Sequence, residues 1–224
     1  MTERIRLEVG GRTTEAAVAL PKGEGRHGAV IVVHEWHGLN HRFTGMAERL
    51  AEEGFVAIAP DLYFGEVAAD DARAYELMQA MKTETSLEIF RAASAWAKAH
   101  PRCNGHVAVL GFCMGGAMAF AASTKVTGLS CAVPFYGLPP AEHLEPARIG
   151  CPVQAHFARN DDWAKAEKAE EVAAAAKAAG KDVEVFVYEA GHAFMRADDP
   201  SKFDAAAAKT AWPRTTKFLH QHLG

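Results

Sequence analysis

Four short segments of the sequence carry residue types that do chemistry together. The first is His106–Gly116, H-V-A-V-L-G-F-C-M-G-G, where an apolar run meets G-x-C-x-G and then the small residues 117–122. A strand that turns sharply into a helix needs small neighbours at the turn, here Gly111 and Gly115, and it thrusts the central side chain outward as a nucleophile elbow. Cys113 then stands at the carboxyl end of the sheet, where ligands bind in open α/β folds. It also stands at a helix N-terminus, whose dipole favours a thiolate. The competing account of this segment is a buried cysteine in a glycine-rich turn.

A thiol nucleophile needs a base, and eleven histidines compete for that role. His192 is set apart by its place in E-A-G-H-A-F, a glycine-bearing loop after the apolar run 183–188. It also comes last in the order nucleophile, acid, histidine that the elbow's partners follow. The acid belongs after the run 153–157, which leads into A-R-N-D-D-W. Asp161 or Asp162 would orient the imidazole, although an Asp-Asp pair ahead of a helix near Ala164 also reads as an N-cap. One aspartate can cap while the other serves the histidine, and Asp161 is the one expected to serve.

The fourth segment is H-E-W-H-G at 34–38. In an elbow architecture this loop and the residue after the nucleophile each supply a backbone N–H to an oxyanion hole, here Trp36 and Met114. Glu35, aimed into the same cleft, would modulate the thiol's protonation. His34 and His37 flank it as conceivable metal ligands, but the spacing is not H-E-x-x-H on a helix, so no metal is expected.

Parallel strands buried on both faces, alternating with helices, would bring these segments to one edge. Residues 5–9 and 14–20 around Gly10-Gly11 read as a β-hairpin. Apolar runs at 29–33, 55–59, 106–110, 129–135, 153–157 and 183–188 read as further strands. Helices fit at 42–52, 116–123 and 164–179, and the stretch 68–99 reads as one helix or two. The last helix, 203–223, should kink or restart at Pro213. No repeat or linker breaks the pattern, so one domain over residues 1–224 is expected, a three-layer α/β sandwich with a mostly parallel sheet.

Composition bounds the function without naming it. An apolar fraction of 49% with 23% charged residues is that of an ordinary globular protein. A net charge of −4 and a pI near 6.3 provide no positive field for nucleic acid or an anionic membrane. The N-terminal segment lacks the order of a signal peptide, and the most apolar run is far too short to span a bilayer. The cysteines at 103, 113, 131 and 151 lack C-x-x-C spacing and are expected to be free thiols. A cytoplasmic protein acting on small molecules is the default, with a monomer as the starting assumption.

Together, V-V-H-E-W-H-G-L-N, A-P-D-L-Y, G-F-C-M-G-G, F-Y-G, the aspartate loop and Y-E-A-G-H-A-F resemble the dienelactone hydrolases over nearly the whole chain. These are carboxymethylenebutenolidase-like members of the α/β-hydrolase superfamily. The resemblance implies that fold and a Cys–His–Asp triad of Cys113, His192 and Asp161, with Glu35 contacting the resting thiol until substrate displaces it. It implies thiolate attack on a lactone or ester carbonyl, an acyl-enzyme, and no metal or organic cofactor. Family members acting on dienelactone are expected to hold its carboxylate with two arginines. Arg196, four residues after His192, takes one place. The other place holds Asp70-Asp71, with Arg73 before Ala74-Tyr75 as the substitute. Tyr63, Met78, Tyr136 and Phe194 are expected to line the pocket. The rivals are a broad esterase or thioesterase with the same triad, a binding protein on this fold, and a redox sensor built on Cys113.

Overall fold

A strand buried on both faces needs apolar side chains on each, and the apolar runs of this chain meet that demand. The structure, a computed structural model, describes residues 2–224. Its strands are β1 (Glu3–Val9), β2 (Arg12–Ala19), β3 (His27–Val33), β4 (Val56–Pro60), β5 (Cys103–Phe112), β6 (Cys131–Phe135), β7 (Val153–Asn160) and β8 (Val183–Gly191). They form one sheet in the order β1-β2-β4-β3-β5-β6-β7-β8. Every pairing from β4 to β8 is parallel, while β1–β2 and β2–β4 are antiparallel. Gly10 and Gly11, with φ of 56° and 77°, give the expected hairpin the paired positive φ of a type I′ turn.

Alternation along β3 sends Ala29, Ile31 and Val33 into one core and Val30 and Val32 into the other. Helices cover both faces. α1 (His41–Glu52) and α6 (Ala205–Leu223) contribute Phe43, Leu50, Trp212 and Leu219 to one core. On the other face α3 (Thr83–Ala99), α4 (Met114–Lys125) and α5 (Ala166–Ala178) contribute Leu87, Phe90, Phe120 and Ala169. The layered α/β fold expected from the sequence is therefore present, and the carboxyl ends of β3, β5, β7 and β8 open on one edge.

Two helical stretches resolve or depart from expectation. The run 68–99 is two helices, α2 (Asp71–Ala80) and α3, separated where Met81 and Lys82 take extended backbone. The last helix starts at Ala205, behind Asp204, whose carboxylate accepts from the Ala207 N–H at 2.9 Å. It does not restart at Pro213. A proline removes one backbone hydrogen bond, but Ala211, Trp212, Thr215 and Leu219, buried on both sides of it, pin α6 to the sheet.

β7 also carries a buried polar knot. His156 shares hydrogen bonds through Nδ1 with the Tyr188 hydroxyl (2.8 Å) and through Nε2 with Gln154 Oε1 (3.2 Å) and Thr215 Oγ1 (3.1 Å). The Gln154 oxygen only accepts, so Nε2 carries the proton and Nδ1 accepts from Tyr188. Burial, and then the Arg214 charge, push His156 down to about 3. The unfolded chain therefore binds a proton here that the folded chain refuses, and stability present above about pH 6.5 is lost as pH falls. This one group should remove about 2 kcal/mol of unfolding free energy between pH 7.5 and 5. Urea unfolding at both pH values should show that His156→Phe loses less stability over this interval than the parent protein.

Candidate active site

β5 enters α4 through Cys113, whose φ of 54° and ψ of −119° are strained for a residue with a side chain. The surroundings hold that conformation. The Cys113 N–H donates to Phe135 O (3.0 Å), and its carbonyl accepts from the Ala117 N–H (3.0 Å). The turn is tight enough that a Cβ on Gly111 would lie 2.0 Å from Gly115 O. One on Gly115 would lie 2.5 Å from the carbonyl oxygens of both Val33 and His34. Glycine at these positions is what lets α4 start against the end of β3, with Cys113 facing the cleft.

The ends of β7 and β8 bring two more groups to the sulfur. His192 Nε2 lies 3.2 Å from Cys113 Sγ, and His192 Nδ1 lies 2.8 Å from Asp161 Oδ2. Asp161 Oδ1 accepts from the Trp163 N–H (2.8 Å) and the Ala164 N–H (3.0 Å). One aspartate thus both orients the imidazole and turns the loop toward α5, whereas Asp162 is 96% exposed and pairs with Lys165. Burial pushes the Asp161 carboxyl up, but the bonds from His192, Ala164 and Trp163 prevail and hold it below the ordinary carboxylate range. An ionised Asp161 accepts from Nδ1–H, which leaves the Nε2 lone pair for the thiol proton.

Glu35 is buried beside this chain of bonds. Its Oε2 is in close contact with Arg42 Nη2 and lies 4.0 Å from Arg196 Nε, and its Oε1 accepts from the Tyr136 hydroxyl at 3.4 Å. Glu35 makes no hydrogen bond to the resting thiol: Arg42 and Tyr136 hold the carboxylate, and the thiol hydrogen-bonds to His192. Glu35 still acts on the thiol through its charge. Burial, and then Glu35, push Cys113 up to about 12, against the Met114 N–H. Both effects favour the protonated thiol.

The loop after β3 is fixed by a histidine rather than by a metal-type cluster. Buried His34 contacts the Glu35 carbonyl through Nδ1 (2.6 Å) and accepts from the Leu62 N–H through Nε2 (3.1 Å). This ties the ends of β3 and β4 together. His37 points elsewhere and pairs with Asp71 at 3.0 Å. Met114 is the first residue of α4, where an N–H has no partner within the helix, and Trp36 lies in the turn after β3, in the cleft wall with Cys113 and His192. All four cysteines are free. No helix among the described residues is long and apolar enough to cross a membrane.

The model of the dienelactone hydrolase family matches residues 14–223. The chain belongs to the dienelactone hydrolase family. It is 35% identical over 230 residues to the carboxymethylenebutenolidase of Pseudomonas sp. (strain P51), covering 98% of this chain and 95% of that one. A solved candidate dienelactone hydrolase from Klebsiella pneumoniae superposes with a TM-score of 0.86 at 27% identity, covering 99% of each chain. A dienelactone hydrolase-like promiscuous phosphotriesterase from metagenomic libraries shares the fold, with a TM-score of 0.89 at 24% identity, covering 100% of this chain and 99% of that one. The chain is accordingly a dienelactone hydrolase-like carboxylic ester hydrolase.

Residues named for substrate contact divide once placed. Arg196 and Met78 line the cleft with Cys113 and His192. Tyr136 lines its apolar side. Arg73 does not reach it: the guanidinium is held by Glu66 and Glu76, each at 2.6 Å, on an exposed part of α2. Phe194 is core, with no exposed surface, packed on Tyr136 and Tyr188 at ring separations of 5.2 Å. The Tyr63 hydroxyl donates to Met114 Sδ at 3.1 Å, bracing the residue beside the nucleophile. Unforeseen were Arg42, Trp163 and Lys202, the last two in the cleft wall. An aromatic residue directly after the aspartate pair was a usable signal for Trp163, whereas Arg42 and Lys202 resemble ordinary surface cations in sequence.

Glu35→Gln should lower the thiol's affinity for its proton, because it removes the negative charge nearest the sulfur and frees Arg42. At pH 8, iodoacetamide should then alkylate Cys113 several-fold faster than in the parent protein. Rates followed between pH 6 and 10 check the direction, and an unchanged profile would show that Glu35 does not control the thiol.

Proposed function

We propose that this chain, acting as one α/β-hydrolase domain over residues 1–224, hydrolyses carboxylic esters and lactones through a thioester on Cys113. The observation that carries this reading is His192 held between Cys113 Sγ at 3.2 Å and Asp161 at 2.8 Å at the floor of an open cleft. A thiol poised near 12 is a poor nucleophile alone, so its proton passes to His192 Nε2 as sulfur attacks the carbonyl carbon. The N–H groups of Trp36 and Met114 take the developing oxyanion. His192 then returns the proton to the departing alkoxide oxygen as the C–O bond breaks. Water, deprotonated by the same nitrogen, attacks the thioester, and the acid leaves as the thiol regains its proton.

Arg196, whose buried Nε has no hydrogen-bond partner among the described residues, is the group to hold a substrate carboxylate. Lys202 lies in the same wall. A second reading, an esterase indifferent to a substrate carboxylate, draws on the engagement of Arg73 by Glu66 and Glu76. Steady-state hydrolysis of cis-dienelactone beside p-nitrophenyl acetate separates the two, since preference for the lactone supports the first and preference for the neutral ester the second.

Cys113→Ala should abolish hydrolysis of both while leaving the circular dichroism spectrum unchanged; near-normal turnover would end the proposal. Asp161→Asn should lower kcat by about 10²- to 10⁴-fold, because the wrong imidazole tautomer is favoured. Asp162→Asn should change it less than about twofold, as for a solvated surface charge. Arg196→Ala should raise KM for the carboxylate-bearing lactone and not for the neutral ester, and Arg73→Ala should raise neither.

A further inference from the structure

The nucleophile stands where two chambers of different character meet. Cys113, His192, Met78 and Trp163 line both. The first, about 340 Å³, is walled by charged side chains, among them Glu35, Asp71, Arg196 and Lys202. The second, also about 340 Å³, has no carboxylate, lysine or arginine in its wall, which includes Met81, Met114, Met118, Leu138 and Pro140. Four of the chain's seven methionines thus gather on one side of the sulfur. Methionine thioethers adapt to apolar groups of varied shape. Trp163, at the divide, is 75% exposed.

We infer that the substrate is an open-chain ester whose acyl arm is an apolar chain of several carbons lying in the methionine-lined chamber, while its alcohol arm lies in the charged one. This rests on the hydrolase reading above. A carbonyl attacked by Sγ carries two substituents that must diverge, and two chambers that share Cys113 and His192 but are otherwise walled mostly by different residues can take one each. The fates of the two arms after attack assign each to its chamber. The acyl group stays on sulfur, and Met114, Ala117 and Met118 of α4, the helix that begins at Cys113, wall the second chamber. The alcohol takes its proton from His192, and Ala193, Arg196, Asp199 and Lys202, all C-terminal to that histidine, wall the first. A compact lactone held by Arg196 fills the charged chamber and leaves the other unused.

The test is hydrolysis of p-nitrophenyl acetate, butyrate and hexanoate by the parent protein and by Met81→Trp and Met81→Ala. Met81 is a rim position, between α2 and α3, and the two substitutions work in opposite directions. With the parent, kcat/KM should rise about fourfold for each added methylene as far as butyrate, the gain expected from burying one such group. Tryptophan should cut the butyrate-to-acetate ratio about tenfold, and alanine should move the optimum toward hexanoate. Ratios unchanged in both variants, with hydrolysis still dependent on Cys113, would overturn the chamber assignment and leave the hydrolase reading intact. A chain-length preference found in the alcohol of alkyl acetates instead of in the acyl group would overturn the assignment of arms. Failure of the parent protein to cleave any ester would bring down the hydrolase reading and this inference together.

Discussion

Backbone crowding around Cys113 governs what else the fold can place near the sulfur. α4 begins where β3, β5 and β6 end side by side, and the contacts there are main chain against main chain. A Cβ on Gly116 would meet Phe135 O at 2.2 Å, and one on Gly137 would meet Cys113 O at 2.1 Å. These approaches press the loop after β3 and the residue after β6 against the elbow. Glu35, Trp36 and Tyr136 therefore surround Cys113 as a consequence of the same close packing that forces its positive φ. The strain is local, but the sheet and α4 over-determine it, as strained conformations at functional sites require.

Within that ring the electrostatics oppose easy ionisation of the thiol. A buried carboxylate survives only when paired, and Glu35 is paired with Arg42 and receives the Tyr136 hydroxyl. Burial, followed by the Glu35 charge, pushes that hydroxyl well above its ordinary range, so it stays a donor. The same carboxylate raises the neighbouring thiol. A resting thiol, in place of a thiolate, gives little purchase to oxidants, whose target is the ionised sulfur. Reactivity is thereby tied to His192 and to a bound carbonyl that accepts the sulfur's electrons. This weakens the redox-sensor account.

The readability of the sequence tracks how local each physical cause is. The elbow is legible because strand, glycines and helix are contiguous, and the hairpin because Gly10 and Gly11 sit at the turn. The pairing of His192 with an aspartate is legible in order along the chain, but which aspartate is not, since both carboxylates precede the same helix. Arg73 misleads because its position beside Ala74 and Tyr75 carries no information about Glu66 and Glu76 claiming it. Phe194 misleads because an aromatic after the catalytic loop looks the same whether it enters the cleft or the core. α6 does not restart at Pro213 because burial of Trp212 and Thr215 on the sheet is a tertiary fact that outweighs one lost backbone bond.

The loop of Asp161 shows how few groups serve several demands at once. Its carboxylate accepts from His192, Trp163 and Ala164, so it orients the base, shapes the approach to α5 and fixes the backbone from which the Trp163 indole projects. Protonating or removing that carboxylate would release all three together. Substitutions at Asp161 and Trp163 should therefore combine non-additively, as groups in one hydrogen-bonded network do. Asp162, one residue away and solvated, lacks such coupling. The chemistry and the shape of the substrate chambers are in this way bound to a single buried negative charge at the end of β7.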